Sequence, residues 1–220
     1  MNNINRGKPL PLGSTITSKG VNFSLIATNA EYIEILVFEK EDAVSPKSIF
    51  KLDQSYKTGP YWHAEINNLK EGSIYGFRVN QKKNGVNNNY QKKVLLDPCS
   101  RGITGWDIYD REKSLKNIEN MDSCLKSVVC DRELFNFKDY PRPKHSWEET
   151  IIYELHIKAF TESSYGDESC FKKFLKKIPY LKELGITTIE LLPIFCFDPT
   201  DAPKGLKNFW GYSPINWFTP

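Results

Sequence analysis

Side chains that could transfer protons are concentrated in the last third of the chain. Glu154 and His156 lie in one apolar run, Glu190 lies in a second, and Asp198 and Asp201 follow that second run. Carboxylates and histidines carry general acid–base catalysis when their surroundings shift their pKa values apart. The same residues also fit a structural role, with Glu154 and Glu190 as a hydrogen-bonded polar pair and His156 as a packing residue. We favour the structural interpretation.

Two apolar runs, Ile151–Phe160 and Thr188–Ile194, predict the strands that would position these side chains. Pro179 predicts either a kink in the helix between them or the first turn of a second helix, and Asp167 or Ser169 can cap its start. Strand, crossover helix and strand predict a βαβ unit with two parallel strands. The face of the helix is predicted by apolar residues at spacings of three and four, namely Phe171, Phe174, Leu175, Ile178, Leu181 and Leu184.

The N-terminal half alternates between apolar and polar residues. Turn signals such as Ser18–Gly20, Thr58–Pro60 and Asn84–Gly85 separate the alternating runs. Short alternating strands between turns predict an antiparallel β-sandwich with one buried face. The runs that carry the pattern are Val21–Ala27, Ile33–Val37, Trp62–Ile66 and Tyr75–Val79. No sustained period follows from Leu96 to Glu149, which predicts an ordered connector with one short strand near Lys126–Asp131.

Composition limits the partners and the compartment. The net charge of +3 over 220 residues, with both signs interspersed, predicts neither a nucleic-acid nor a membrane partner. The N-terminus lacks the apolar core of a signal peptide, and no apolar run is long enough to span a bilayer. Five cysteines without CxxC spacing and three scattered histidines predict reduced thiols in the cytoplasm and no metal site.

Five motifs of the first half of the chain occur in a recognisable order, namely Pro11–Thr15, Lys19–Ser24, Gly59–His63, Tyr75–Arg78 and Leu95–Pro98. They resemble carbohydrate-binding module family 48, the N-terminal module of isoamylase-type glycogen debranching enzymes. The resemblance implies an immunoglobulin-like sandwich over residues 1–96, followed by a connector over 97–147. Glycan-binding members of that family usually carry exposed loop tryptophans, but Glu39–Pro46 and Asn84–Asn89 have none. We therefore expect a sandwich that binds glycan weakly or not at all.

The second half resembles the opening of the catalytic barrel of the same enzymes, glycoside hydrolase family 13. The resemblance implies that residues 148–220 form the first βαβ unit of an incomplete (β/α)8 barrel. The family hydrolyses α-1,6 branch points of glycogen or related α-glucans with retention, without a cofactor. The matching motifs are Ile152–His156, Ile178–Gly185, Glu190–Pro193 and Phe209–Pro214.

The family takes its nucleophile and acid from the fourth, fifth and seventh barrel strands, which this chain does not contain. We therefore expect no catalytic residue and no hydrolysis by the chain alone. Tyr212 matches the tyrosine that stacks on the sugar at the cleavage subsite, and we predict Tyr212 and Trp210 as substrate-binding residues for α-glucan. The alternative is that these rings and Trp217 only pack the loop.

Two functions follow from the sequence. The chain is the N-terminal part of an α-glucan debranching hydrolase, or it is a stand-alone module that binds α-glucan or another protein. A branching enzyme or other transglycosylase of the same superfamily is an alternative within the enzyme class.

Overall fold

The computed structural model describes residues 3–81, 92–131, 140, 142–162 and 168–220. The chain forms two compact units. The first, which we call the sandwich unit, comprises Met1–Leu134 with Asn216–Pro220. The second, the parallel-strand unit, comprises Phe135–Ile215. The predicted turn at Asn84–Gly85 and the predicted cap Asp167 lie outside the described residues.

The sandwich unit contains two antiparallel sheets. The first sheet has the order β1-β7-β3-β2, with β6 also paired to β7. Its strands are β1 (Ile4–Arg6), β2 (Gly13–Ile16), β3 (Gly20–Ile26), β6 (Lys57–Thr58) and β7 (Tyr61–Asn67). The second sheet has the order β5-β4-β8-β10-β9. Its strands are β4 (Ala30–Phe38), β5 (Ser48–Leu52), β8 (Ile74–Gln81), β9 (Gly102–Thr104) and β10 (Lys126–Val128).

The core of the sandwich lies between the two sheets and follows the predicted alternation. Phe23 of β3 and Tyr75 of β8 meet edge to face, with ring centroids 4.8 Å apart. Trp62 of β7 is almost fully buried, and its indole nitrogen donates to the Ala27 carbonyl at 2.9 Å. The predicted antiparallel sandwich is confirmed, and its buried residues are Val21, Phe23, Ala30, Ile33, Ile35, Leu52, Trp62, Ala64, Ile66, Tyr75, Phe77 and Val129.

The second sheet is buried on both faces near the end of β4, whereas the sequence predicted one buried face. Leu36 and Phe38 point away from the core between the sheets and pack against Val94, Met121 and Cys124. Two of these covering residues, Met121 and Cys124, belong to the predicted connector, and Val94 lies just before it. The same connector supplies β9 and β10, together with a 3-10 turn (Trp106–Ile108) and helix α1 (Arg111–Leu115).

The parallel-strand unit is built around one parallel pair. Strand β11 (Ile152–Leu155) pairs with β12 (Thr188–Leu191), and Glu154 is aligned with Glu190. Three helices lie between the strands in sequence, namely α2 (Ile157–Thr161), α3 (Cys170–Leu175) and α4 (Ile178–Glu183). A second small sheet pairs β13 (Cys196–Phe197) with β14 (Pro214–Asn216). The prediction of two parallel strands joined through helices is confirmed.

The strand boundaries in this unit differ from the sequence prediction, and the second strand ends at Leu191 and not at Ile194. The first strand ends at Leu155 and not at Phe160, because His156 caps helix α2 by accepting a hydrogen bond from the Ala159 amide at 3.1 Å. Pro179 lies in the first turn of a separate helix α4, as one of the two alternatives predicted. Ser169 caps α3 through its hydroxyl oxygen.

The structure also describes the state of the cysteines and the length of the helices. All five cysteines are free thiols, and burial raises the pKa of Cys196 to about 11, so this thiol is protonated at neutral pH. In the part of the chain that the structure describes, every helix is too short or too polar to cross a bilayer.

Candidate functional site

The candidate site is the aromatic turn Asn208–Pro214, in the parallel-strand unit. Asn208 organises the turn from within, since its amide nitrogen donates to the Tyr212 carbonyl at 2.7 Å and its amide oxygen accepts from the Gly211 N–H at 3.2 Å. Gly211 has a φ of +81°, a value that side chains other than glycine rarely adopt. A Cβ at this position would also lie 3.2 Å from the Pro193 carbonyl oxygen. The turn is therefore fixed by its own side-chain hydrogen bonds and by glycine.

His156 supports the turn from the parallel pair. Its ring stacks on Phe209 with the centroids 5.0 Å apart and 26° between the planes, and it meets Trp210 edge to face at 5.6 Å. The ammonium nitrogen of Lys158 lies 5.3 Å from the Phe209 ring centroid, within the range of a cation–π contact. The imidazole Nδ1 is occupied by the cap of α2. His156 thus has packing and capping roles.

The two predicted substrate-binding residues lie on the outside of this turn. Trp210 is 53% exposed and Tyr212 is 57% exposed, so a large part of each side chain is accessible to a ligand. Sequence reasoning missed Phe209 and His156 as their support. A histidine immediately after a strand was the available signal, but the contact joins residues about fifty positions apart and has no local pattern.

The candidate proton-transfer groups do not form a catalytic centre. The aligned Glu154 and Glu190 are both exposed, and neither forms a hydrogen bond or ion pair with a described residue. The hydrogen-bonded polar pair that we favoured from the sequence therefore stays a prediction for the complete barrel interior. Asp198 is buried and accepts from the Thr200 amide at 2.7 Å and the Thr200 hydroxyl at 2.6 Å, which makes it part of a turn. Within the described ranges, no group of three or more metal-ligating side chains is present.

A comparison with protein families finds a similarity for most of the first half of the chain. Residues 11–100 match the family "Carbohydrate-binding module 48 (Isoamylase N-terminal domain)". This span contains strands β2 to β8 of the sandwich unit. The first half of the chain is therefore similar to the N-terminal modules of isoamylase-type enzymes.

Several curated proteins align with almost the whole chain, and they are glycogen debranching enzymes. The chain is 33% identical to the glycogen debranching enzyme of Enterobacter sp. (strain 638), over 99% of this chain and 35% of that enzyme. It is also 33% identical to the glycogen debranching enzyme of Erwinia tasmaniensis, over 96% of this chain and 34% of that enzyme. The chain thus spans about a third of the length of the curated relatives it matches. The predicted resemblance to the N-terminal portion of isoamylase-type glycogen debranching enzymes is confirmed.

Solved structures share the fold at lower identity. A pullulanase from Paenibacillus barengoltzii, in complex with maltohexaose and alpha-cyclodextrin, matches 98% of this chain and 32% of its own, with a TM-score of 0.70 and 20% identity. The catalytic module of a multi-modular glycogen-degrading pneumococcal virulence factor matches 97% of this chain and 32% of its own, with a TM-score of 0.69 and 19% identity.

Proposed function

We propose that this chain is the N-terminal part of an α-glucan debranching hydrolase that cleaves α-1,6 bonds with retention of configuration. The proposal rests first on the alignment of almost the whole chain with about a third of a glycogen debranching enzyme. Its parts are an immunoglobulin-like sandwich over residues 1–96, a connector over 97–147 and the first βαβ unit of a (β/α)8 barrel over 148–220. The free thiols support a reducing, cytoplasmic setting.

The open face of the parallel pair supports the assignment to a barrel. Tyr153, Leu155 and Ile189 face the helices and join a small apolar cluster with Leu181. The opposite face carries the exposed side chains of Ile152, Glu154, Thr188 and Glu190. In a closed barrel, further strands would complete the sheet and side chains of this face would fill the interior. We infer that this face is the interior of a barrel whose remaining strands lie in a longer polypeptide.

The isolated chain is expected to release no reducing sugar from glycogen. A retaining glycosidase requires a nucleophilic carboxylate and a carboxylic acid about 5 Å apart, placed on both sides of the bond. Glu154 and Glu190 are exposed to solvent and do not enclose a substrate. The measurement is a reducing-end assay on the purified chain with glycogen or branched dextrin. Hydrolysis that disappears in a Glu154→Gln or Glu190→Gln variant would transfer the catalytic role to that residue and contradict the proposal.

Tyr212 is proposed to stack on a glucose ring, with Trp210 as its neighbour. The exposed face of Tyr212 and its fixed carbonyl make the ring available without a rearrangement of the turn. Tyr212→Ala is therefore expected to weaken binding of a maltooligosaccharide by about tenfold, which corresponds to a stacking contribution of about 1.4 kcal/mol. Isothermal titration measures the change.

Two variants serve as controls for that titration. Tyr212→Phe keeps the ring and is expected to retain most of the affinity. Trp147→Ala removes an 87% exposed ring elsewhere in the same unit and is expected to have no effect. Equal affinity of Tyr212→Ala and the native chain would show that the ring only packs.

The clefts of the sandwich unit favour a structural role for that unit. One cleft of about 450 Å³ opens at the end of the sheets and is lined by Phe50, Leu69, Asn67 and Lys47, among others. A second of about 490 Å³ is lined by Arg6, Lys8 and neighbouring polar residues. Neither lining includes a tryptophan or tyrosine from the described residues. The aromatic rings in these linings are Phe38 and Phe50, both in the first cleft. We therefore do not assign glycan binding to either cleft.

A further inference from the structure

A short segment of the sandwich unit, residues 7–11, lies on the outer face of the first sheet, and we call it the N-terminal strap. The Lys8 N–H donates to the Asn22 side-chain oxygen at 2.7 Å, and the Asn22 amide nitrogen donates back to the Lys8 carbonyl at 3.0 Å. The Ser24 hydroxyl donates to the Pro9 carbonyl at 2.6 Å. Asn22 and Ser24 are buried because the strap covers them.

His63 of β7 lies on the same outer face, next to the strap. It is the register partner of Ser24 in β3, and the side chains of two such partners project from the same face of a sheet. A Cβ on Gly7 would lie 2.0 Å from the Asn22 side-chain oxygen, so the strap approaches the sheet closely here. His63 is only 2% exposed, although its strand position turns it away from the core between the sheets. The strap therefore shields this imidazole from water.

One hydroxyl group joins His63 to strand β1. The imidazole Nε2 lies 2.8 Å from the Thr58 hydroxyl oxygen, and the same oxygen accepts a hydrogen bond from the Arg6 guanidinium at 2.9 Å. Arg6 also donates to the Lys57 carbonyl at 3.1 Å. Because the Thr58 oxygen already accepts from Arg6, its single proton is available to a neutral Nε2. The imidazole Nδ1 is buried without a well-formed hydrogen bond to any described residue.

The surroundings of His63 favour the neutral ring. Burial lowers the pKa of His63 most, the charge of Arg6 lowers it further, and the backbone of Gly7 opposes both only in part. No carboxylate of the described residues is among the groups that act on this ring. The Lys57 ammonium is directed elsewhere, since it lies 5.0 Å from the Trp62 ring centroid. The other titratable side chains on the surrounding elements are Lys8 of the strap and Tyr61 and Glu65 of β7, whereas β3 contributes the neutral Asn22 and Ser24.

We propose that His63 is an acid-sensitive latch for the N-terminal strap: protonation of the imidazole breaks its hydrogen-bonded link through Thr58 to Arg6 and releases β1 and the strap from the first sheet. A protonated Nε2 is a donor, so the Thr58 oxygen would have to accept from two cations while its own proton loses an acceptor. A buried imidazolium beside a guanidinium also lacks a compensating carboxylate. Release of the strap hydrates the ring. This latch does not depend on the proposed function.

The sign of the effect follows from the protonation states. The pKa of His63 lies below its usual value of 6.5 when the strap is closed. As the pH falls below 6.5, the open state takes up a proton that the closed state does not yet hold. The equilibrium constant for opening therefore rises by up to about tenfold per pH unit, until the pKa of the closed state is reached.

Hydrogen exchange of the full chain at pH 7.5 and pH 5.0 tests the latch, with rates expressed as protection factors to remove the intrinsic effect of pH. The protection factors of the amides of residues 4–8 are expected to fall about tenfold at pH 5.0. Those of β4 and β8 in the second sheet should stay within about twofold. His63→Gln, which is neutral at both pH values, should abolish the fall. His145→Gln, which replaces an exposed histidine of the parallel-strand unit, should retain it.

Three results of the exchange experiment would overturn the latch. They are equal protection of residues 4–8 at both pH values, a fall that persists in His63→Gln, and an equal fall in β4 and β8, which would show general acid unfolding. Nuclear magnetic resonance titration of the native imidazoles is a second readout that does not depend on the folding of a variant. His63 should titrate below pH 6.5, and titration at or above that pH would also overturn the latch.

Discussion

Replacing Trp62 with alanine is expected to lower the free energy of unfolding of the sandwich unit by about 3–5 kcal/mol, the range found for large-to-small changes of buried aromatic residues. Trp62 is 1% exposed near the start of β7, where it is paired with Leu25 of β3 and with Lys57 of β6. Its truncation would leave a cavity between the two sheets. It would also leave the Ala27 carbonyl without the indole donor.

Urea unfolding followed by far-ultraviolet circular dichroism measures this change. The slope of the free energy against urea should remain close to that of the native chain, since the same surface is exposed on unfolding. Trp147→Ala is the matched control, and a surface change of that kind should stay within about 0.5 kcal/mol. A loss below about 1 kcal/mol for Trp62→Ala would mean that the core refills the cavity and that Trp62 does not hold the sheets together.

The sandwich strands could be predicted from the sequence because their signal is local. Phe23 and Leu25 alternate with Asn22 and Ser24 in sequence, and strand β3 forms there with Phe23 in the core between the sheets. Asn22 and Ser24 are buried as well, which the alternation did not predict. Alternation of apolar and polar residues predicts a strand even when the residues that pack against its apolar face are unknown. The parallel pair was predictable for a similar reason, since an apolar run, a helical face and a second apolar run occur in order.

The covering of the second sheet was not predictable, because it depends on residues far away in sequence. Leu36 is out of phase with Ile33 and Ile35, so alternation alone would place it in solvent. It is buried because Val94 and Met121 pack on the outer face of the sheet. Val94 lies just before the connector, and Met121 lies in it. The connector shows no sustained period of its own, because its residues cover the surface of a sheet and form few regular elements.

The candidate site could be predicted only in part. The aromatic turn is visible as a run of residues, and Tyr212 and Trp210 are exposed as a ligand surface requires. The support of the turn by His156 was not visible, because the stacking on Phe209 is a contact between separate elements.

Tyr75 is expected to make the stability of the sandwich unit fall at high pH. Its side chain is fully buried, and its hydroxyl donates to the Asp97 carboxylate at 2.7 Å. Burial, together with the negative charge of Asp97, raises the pKa of Tyr75 well above its usual value of 10.0. Below that pH the phenol is protonated in both the folded and the unfolded chain, so its contribution to stability is fully present.

Above pH 10 the unfolded chain releases this proton while the folded chain retains it. The unfolded state then binds fewer protons, and the free energy of unfolding falls by up to about 1.4 kcal/mol per pH unit until the folded pKa is reached. Tyr75→Phe has no phenol and therefore lacks this pH-dependent loss of stability. At neutral pH the variant should be less stable than the native chain by about 1–3 kcal/mol, because a buried carboxylate loses a donor.

The difference between native chain and Tyr75→Phe should therefore shrink as pH rises from 9 to 11. Urea unfolding at several pH values measures it, and other groups that titrate in this range contribute equally to both proteins. Ser127→Ala is the control, since it breaks another hydrogen bond of Asp97 and leaves the phenol in place. Its destabilisation should not depend on pH in this way. A difference in stability between the native chain and Tyr75→Phe that stays constant up to pH 11 would contradict this prediction. It would mean that the phenol of Tyr75 ionises as readily in the folded chain as in the unfolded chain, despite its burial beside Asp97.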